Sequence, residues 1–196
     1  MKNRILSVRL SEDERNDQRG DEPAVPDVIL IRNQYPDAAA LHHVLNYVCR
    51  SGMIGGYAVD PVYAFREFML VKSAYQNIDG RQLLHFIVSF STTVAYRLST
   101  DDMLALGYDI CYLFPGHQVV YALHMDSAHC HLHFVVNSVS FEDGKKHFSG
   151  FHDLFPVRDF LQECFPRSNV HIYQSFPDSD VNRFGCSDDD ELLRID

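Results

Sequence analysis

The chain has 196 residues, which is enough for one domain with a sizeable core. Its composition, 46% hydrophobic and 22% charged, excludes a disordered or a fibrous protein. The formal net charge of -10 argues against a simple nucleic-acid-binding protein, because Lys and Arg normally neutralise the phosphates. An apolar run of about 18 residues is absent, as is an apolar signal-peptide core, so we expect a cytoplasmic protein without membrane insertion.

Charge is unevenly distributed, and its pattern divides the chain into three expected parts. Residues 1–26 predict a mobile N-terminal leader, residues 27–175 a single catalytic-sized domain, and residues 176–196 an acidic C-terminal tail. Residues 31–100 hold six Lys or Arg against four Asp or Glu, so that part is slightly basic. The five cysteines are scattered without CxxC spacing, which predicts reduced thiols rather than disulfides or a cysteine zinc site.

The first elements in chain order are a short strand and two helices. Residues 28–31 are apolar and indicate a strand, whereas residues 38–50 carry apolar side chains at helical spacing and predict a helix. Tyr47 falls near the end of that helix. The Gly55-Gly56 pair predicts a flexible link, and Asp60-Pro61 then supplies the N-cap and first position of a helix that ends near residue 75.

The second half of the chain alternates between strand and helix patterns. The predicted elements are a strand at 83–90, a helix capped by Ser99 or Thr100, strands at 118–124 and 131–141, a helix at 153–165 and a strand at 170–173. This order predicts an α+β fold, with helices flanking a central antiparallel or mixed β-sheet.

Four of the eleven histidines lie within the ten residues 124–133. Because side chains alternate along a strand, His131 and His133 would project from the same face as a natural pair of metal ligands. His124 would supply a third nitrogen if the turn between the strands brings it alongside, and three neutral imidazoles leave coordination positions open for catalysis. Asp126 would orient one imidazole, while His129 is a competing ligand. Hydrogen-bonded sheet histidines are the structural alternative, and zinc-activated water in a hydrolase is the chemical one.

Three ordered segments resemble the motifs of the relaxases of mobilisable plasmids and integrative conjugative elements, members of the HUH endonuclease superfamily. The first, LNYVCRSG at 45–52, resembles the tyrosine segment with a basic residue just after the tyrosine. The second, LHFIVSFS at 84–91, is similar to the strand that contains the H…SF pattern. The third, residues 124–146, resembles the histidine-metal motif with its trailing asparagine and Gly-Lys turn. The resemblance covers residues 41–147, about half of the chain.

This resemblance implies a metal-dependent DNA strand transferase acting in conjugation or mobilisation. The Tyr47 hydroxyl would attack a phosphodiester of single-stranded DNA at a transfer origin, giving a 5'-phosphotyrosine intermediate and a free 3'-OH. A divalent metal held by His124, His131 and His133 would polarise the phosphate, with Mg²⁺ or Mn²⁺ expected and Zn²⁺ as the alternative. An accessory DNA-binding protein and a coupling protein are the expected protein partners, the former because the chain is acidic.

Several other residues become candidates for contact with DNA once the resemblance is stated. They are Arg50 after the tyrosine, His85 and Ser89 on the second segment, Asn137 on the face of the histidines, and Lys145 and Lys146 after the glycine turn. Two alternatives stay open: His85 and Ser89 would instead support the active site, and the paired lysines would be a solvated surface.

Further tyrosines and other classes of function compete with this interpretation. Tyr57, Tyr63 and Tyr75 are candidates for a second nucleophile or for stacking on bases, although a core role is the simpler assignment for each. The acidic charge supports a noncatalytic accessory or regulatory module of a mobilisation complex. A replication-initiation nickase of the same superfamily would share the metal and the tyrosine, and the sequence does not separate the two kinds of origin.

Overall fold

Six strands of the computed structural model form one mixed β-sheet. The structure describes residues 26–31, 35–125, 130–146, 148 and 150–175. The strands are β1 (Pro26–Ile31), β2 (Ile54–Tyr57), β3 (Leu83–Phe90), β4 (Val119–His124), β5 (His131–Asn137) and β6 (Ile172–Ser175). They lie in the order β2-β4-β5-β3-β1-β6, in which β1 and β6 are parallel and the other neighbouring pairs antiparallel. The predicted leader, apart from Pro26, and the predicted tail lie outside the described residues.

Helices cover both faces of this sheet, which confirms the predicted α+β class. They are α1 (Ala38–Cys49), α2 (Ala64–Ala74), α3 (Thr92–Arg97), α4 (Thr100–Cys111) and α5 (Phe155–Cys164), with 3-10 turns at Pro61–Tyr63 and Phe151–Leu154. The longest of these helices has 12 residues, against about 20 needed to cross a bilayer. In the described part of the chain, no helix could therefore serve as a membrane span.

Alternation along β5 separates two apolar cores. Leu132, Phe134 and Val136 point into a large core that also contains buried side chains of α4 and α5. Val135 points the opposite way and packs with the buried side chains of α1 and α2. We call this second side the α1–α2 face, and His131 and His133 share it with Val135 because side chains two residues apart lie on the same face.

Side-chain caps explain where two of the predicted helices begin. The Asp37 carboxylate accepts a hydrogen bond from the Ala40 N–H at 2.9 Å, which satisfies a free donor at the start of α1. At the start of α4, Ser99 and Asp102 form a reciprocal capping box. Of the two caps that the sequence offered, Ser99 and Thr100, the structure therefore has Ser99. Each such cap contributes about 1 kcal/mol to stability.

The predicted flexible link at Gly55-Gly56 is wrong, because these residues belong to the edge strand β2. Gly55 pairs with Tyr121 of β4, and a Cβ built on Gly55 would lie 2.2 Å from the Tyr121 Cζ. Glycine is therefore required by the close approach of an aromatic ring rather than by a turn. Helix α3 was not predicted, and the last strand begins two residues later than expected because its pairing with β1 sets its bounds.

Candidate functional site

Three histidines from two neighbouring strands form a buried cluster on the α1–α2 face. His131 and His133 extend from β5, and His124 lies opposite His131 in the antiparallel pair of β4 and β5. One ring nitrogen from each histidine lies within 4.8 Å of the other two, and all three side chains are buried. The strand pairing thus brings together the three residues that sequence spacing had proposed as metal ligands.

Hydrogen bonds leave a suitable nitrogen on at least two of these rings. The His124 Nε2 lies 2.8 Å from the Val48 carbonyl oxygen, so this N–H donates and Nδ1 keeps its lone pair. The His133 Nδ1 lies 3.0 Å from the His85 Nε2, whereas the His133 Nε2 is buried without a hydrogen-bond partner among the described residues. A buried polar atom without a partner costs about 1 to 3 kcal/mol, a cost that coordination to a metal would remove. The donor set fits a divalent cation.

Burial also favours the neutral imidazoles that metal binding needs. Removal from water lowers the pKa of His133 well below its usual value, with the neighbouring His85, His131 and His124 adding to the effect. The pKa of His85 falls to about 3 for the same main reason, with His124 adding to it. A neutral imidazole offers a lone pair, so protons need not be displaced from these rings when a metal binds.

Tyr47 lies directly beside the histidine cluster. Its ring centroid is 5.5 Å from that of His133 and 5.8 Å from that of His124. The last turn of α1 holds it there, because the buried Val44, Leu45 and Val48 fix that helix against the sheet. The Arg50 guanidinium carbon lies 4.5 Å from the Tyr47 ring centroid. A tyrosine ring, three imidazoles and a guanidinium group therefore meet at one site.

The neighbouring strands extend this site in a row across the sheet. Ser89 of β3 is the pairing partner of His131, and Asp27 of β1 is the pairing partner of Ser89. Asp27 is half-buried, and burial raises its pKa while His171 lowers it. Its Oδ1 is buried without a hydrogen-bond partner among the described residues. Sequence reasoning missed Asp27, since nothing near it in the chain indicates that β1 lies two strands from β5.

His85 is placed behind the cluster rather than on an open surface. It is 5% exposed, and its ring nitrogens face His133 and the hydroxyl of Tyr35. The sequence had left two roles open for His85, contact with DNA or support of the active site. Its buried position favours the supporting role. Tyr35, 50 residues earlier in the chain, carried no signal in the sequence.

Asn137 shares the face of the histidines, as its parity predicted, but not their site. It is 0% exposed, and its amide donates hydrogen bonds to the Phe68 carbonyl at 3.3 Å and the Gln118 Oε1 at 3.0 Å. It lies four positions after His133 on the extended strand, a distance of about 13 Å. The structure thus gives Asn137 a structural position, because contact with DNA would require these buried bonds to break.

The glycine turn with Lys145 and Lys146 follows β5 at the end remote from the histidines. The six steps along the strand from His131 to Asn137 span about 20 Å. The Lys145 ammonium lies 3.7 Å from an Asp143 carboxylate oxygen, and the Lys146 ammonium donates to the Asp79 carbonyl. The geometry therefore favours the alternative of a solvated surface for this pair.

The other candidates fall outside the site or outside the described residues. Tyr57 packs against Tyr112 at 5.0 Å and pairs with Val119, at the opposite end of β4 from His124. Tyr63 is 58% exposed before α2, and the Tyr75 hydroxyl donates to the Phe141 carbonyl at 2.9 Å. Asp126 and His129 lie outside the part of the chain that the structure describes, so their predicted roles stay predictions.

Tyr47 thus lies beside three buried histidines that could hold a metal ion, on the sheet of an α+β fold. Comparison with known proteins identifies the class of protein that has this arrangement. The family model described as the nuclease domain of MobA/VirD2-like relaxases matches residues 43–165. This match covers more than half of the chain and includes Tyr47 and the three histidines, so the chain belongs to this relaxase family. The family predicted from the sequence motifs is confirmed.

Two relatives from Staphylococcus aureus, both named Protein rlx, are similar to this chain. One is 29% identical over 111 residues, which are 56% of this chain and 33% of the relative. The other is 34% identical over 93 residues, which are 47% of this chain and 29% of the relative. The chain therefore spans about a third of the length of these relatives. No solved structure matches it significantly.

Proposed function

We propose that this chain nicks and rejoins single-stranded DNA at a transfer origin, with Tyr47 as the nucleophile. The observation that carries the proposal is the Tyr47 ring 5.5 Å from the ring of His133, within a three-histidine cluster. In the forward step the Tyr47 Oη–P bond forms and the P–O3' bond breaks. The phenol loses its proton and the leaving 3'-oxygen gains one. The reverse step restores the DNA, because the phosphotyrosine ester retains the energy of the original bond.

The residues around Tyr47 have distinct tasks in this step. A phenol with a pKa of about 10 is a weak nucleophile near neutral pH, so its deprotonation must be assisted. Arg50 lies against the Tyr47 ring and supplies positive charge for the phosphate, and Ser89 at the same end of the sheet offers a hydroxyl to it. The predicted role of Asp126 in orienting an imidazole remains part of the proposal.

His124, His131 and His133 would hold the divalent metal at this site. When bound, such a cation neutralises charge that develops on the phosphate. Mg²⁺ and Mn²⁺ are the ions that the resemblance implies, whereas imidazole nitrogens suit Zn²⁺ better than the oxygen-preferring Mg²⁺. The activity should therefore be measured with each of the three ions.

A covalent-adduct assay tests the proposal directly. Single-stranded oligonucleotides labelled at the 3' end, the end that stays with the protein after cleavage, are tiled across the DNA that flanks the gene. They are incubated with the full chain and a divalent metal, then separated under denaturing conditions. We expect one tile to give a labelled protein that Tyr47→Phe and a chelator both abolish. Tyr112→Phe is the matched control, since this exposed tyrosine bonds to Tyr108 and packs on Tyr57, which pairs with the opposite end of β4 from His124. An adduct that survives in Tyr47→Phe would assign the nucleophile to another tyrosine.

The acidic balance of the chain favours a noncatalytic accessory module as the second candidate. Such a module would bind a basic protein partner. A relaxase would instead contact the phosphates of DNA, together with accessory and coupling proteins. DNA affinity measured from low to moderate salt separates the two, because phosphate contacts make affinity fall steeply as salt rises. Weak affinity that is insensitive to salt, with no adduct on any tile, would favour the accessory module.

A further inference from the structure

Three buried rings form a continuous hydrogen-bonded chain that runs away from the histidine cluster. The His133 Nδ1 lies 3.0 Å from the His85 Nε2, and the His85 Nδ1 lies 2.9 Å from the Tyr35 hydroxyl. Exposure is 1% for His133, 5% for His85 and 2% for Tyr35. These hydrogen bonds therefore connect β5, β3 and Tyr35, which follows β1, beneath the surface of the protein.

His85 is not placed as a fourth ligand of the same metal. Its Nε2 is directed at the His133 Nδ1, and the two rings are nearly parallel, at 26°. The group of histidines whose ligand atoms converge contains His124, His131 and His133. His85 thus contacts the Nδ1 of His133, and the Nε2 of His133 remains for a metal.

The hydrogen bonds have one direction that is compatible with metal binding. If His133 presents the Nε2 lone pair to a cation, its proton must reside on Nδ1, which then donates to the His85 Nε2. The His85 proton must in turn reside on Nδ1, which donates to the Tyr35 hydroxyl oxygen. One tautomer of each ring satisfies both contacts.

Tyr35 is itself held by the start of β3. Its backbone carbonyl accepts a hydrogen bond from the Gln82 N–H at 2.9 Å. Its φ of 41° lies in the left-handed region that non-glycine residues seldom adopt, so surrounding contacts must maintain it. The backbone that carries the Tyr35 ring is therefore held by the fold beside the start of β3.

We propose that His85 and Tyr35 are positioning residues that fix the tautomer and the ring orientation of His133 for metal binding. The inference rests on the metal site of the proposed function and assigns it two residues beyond the ligands. Partners that orient a ligating imidazole typically change metal affinity by about 10- to 100-fold. His85 accepts a hydrogen bond from one ring and donates one to another. Loss of His85 should therefore lower metal affinity more than loss of Tyr35.

Metal affinity in the absence of DNA tests this inference. Mn²⁺ is titrated into the full chain, and free Mn²⁺ is followed by electron paramagnetic resonance. We expect His85→Leu to weaken binding by about 10- to 100-fold and Tyr35→Phe by a smaller factor. His85→Gln should recover part of the affinity, because its amide can accept from His133 and donate to Tyr35. Ile87→Val is the packing control, since Ile87 is the pairing partner of His133 on β3.

A spectroscopic readout separates positioning from a general loss of structure. In the Zn²⁺-loaded protein labelled with ¹⁵N-histidine, we expect the His133 Nδ1 to be protonated, and its proton to exchange faster in Tyr35→Phe. Unchanged Mn²⁺ affinity in folded His85→Leu and Tyr35→Phe would overturn the positioning role alone. Failure of the unmodified chain to bind Mn²⁺ or Zn²⁺ would overturn the metal site of the proposed function as well.

Discussion

Lys72 carries an amino group that lies inside the protein, at the end of the sheet remote from the histidine cluster. It is 0% exposed, and its ammonium donates hydrogen bonds to the Gln82 carbonyl at 2.8 Å and the Ser138 hydroxyl at 3.0 Å. Both partners are neutral oxygens, so they do not balance its charge. Burial lowers the pKa of Lys72 to about 7, and the nearby Lys146 adds to this effect.

The low pKa of Lys72 predicts stability that rises with pH. Its pKa is about 7 in the folded state and about 10.4 when unfolded, so the unfolded chain binds more protons between these values. Each pH unit in this window should then add up to about 1.4 kcal/mol to the free energy of unfolding. We expect Lys72→Met to remove this rise, as measured by urea unfolding at pH 7 and pH 9. The exposed Lys145→Met should keep it, and equal slopes in all three proteins would contradict the prediction.

At the scale of elements, the packing of β2 against β4 depends on the absence of a side chain. A Cβ on Gly55 would meet the Tyr121 ring at 2.2 Å, and the same ring lies 2.7 Å from a Cβ built on Gly107 of α4. Two glycines from two elements therefore make room for one buried tyrosine. Sequence patterns do not show this requirement, because Tyr121 lies 66 residues after Gly55 in the chain.

We predict that Gly55→Ala destabilises the protein through Tyr121. The added methyl group should cost about 1 to 3 kcal/mol, because a filled core accommodates extra volume poorly. In a Tyr121→Ala background the same substitution should cost much less. Urea unfolding of the two single variants and the double variant measures the coupling between the sites. Additive effects would mean that the Tyr121 ring is not the obstacle.

For the whole molecule, a metal held by the histidine cluster would couple ion binding to folding. The three histidines come from β4 and β5, and the His124 ring also bonds to the last turn of α1. An ion that binds only the folded protein stabilises it by about 2.7 kcal/mol at 100 times its Kd. The site thus joins the helix that carries Tyr47 to the centre of the sheet.

Metal addition should therefore raise the melting temperature of the unmodified chain. About 2.7 kcal/mol corresponds to a shift of about 5 to 10 °C for a domain of this size. Thermal unfolding followed by circular dichroism, with and without saturating Mn²⁺ or Zn²⁺, measures the shift. His131→Ala should abolish it, and the exposed His152→Ala should leave it intact. A shift that persists in His131→Ala would place the ion elsewhere.

Local sequence determined most of the elements and the three histidines of the cluster. Helical spacing and caps located α1 and α4, and the two-residue period placed His131 and His133 on one face, because these signals act within a few residues. The tertiary structure decided the rest: the strand status of β2, the burial of Asn137 and the distance of Lys145 and Lys146 from the cluster. It also decided the contacts of His85 with His133 and with Tyr35. Each depends on which distant strands pair and in what register, and a pairing register is a property of two segments together.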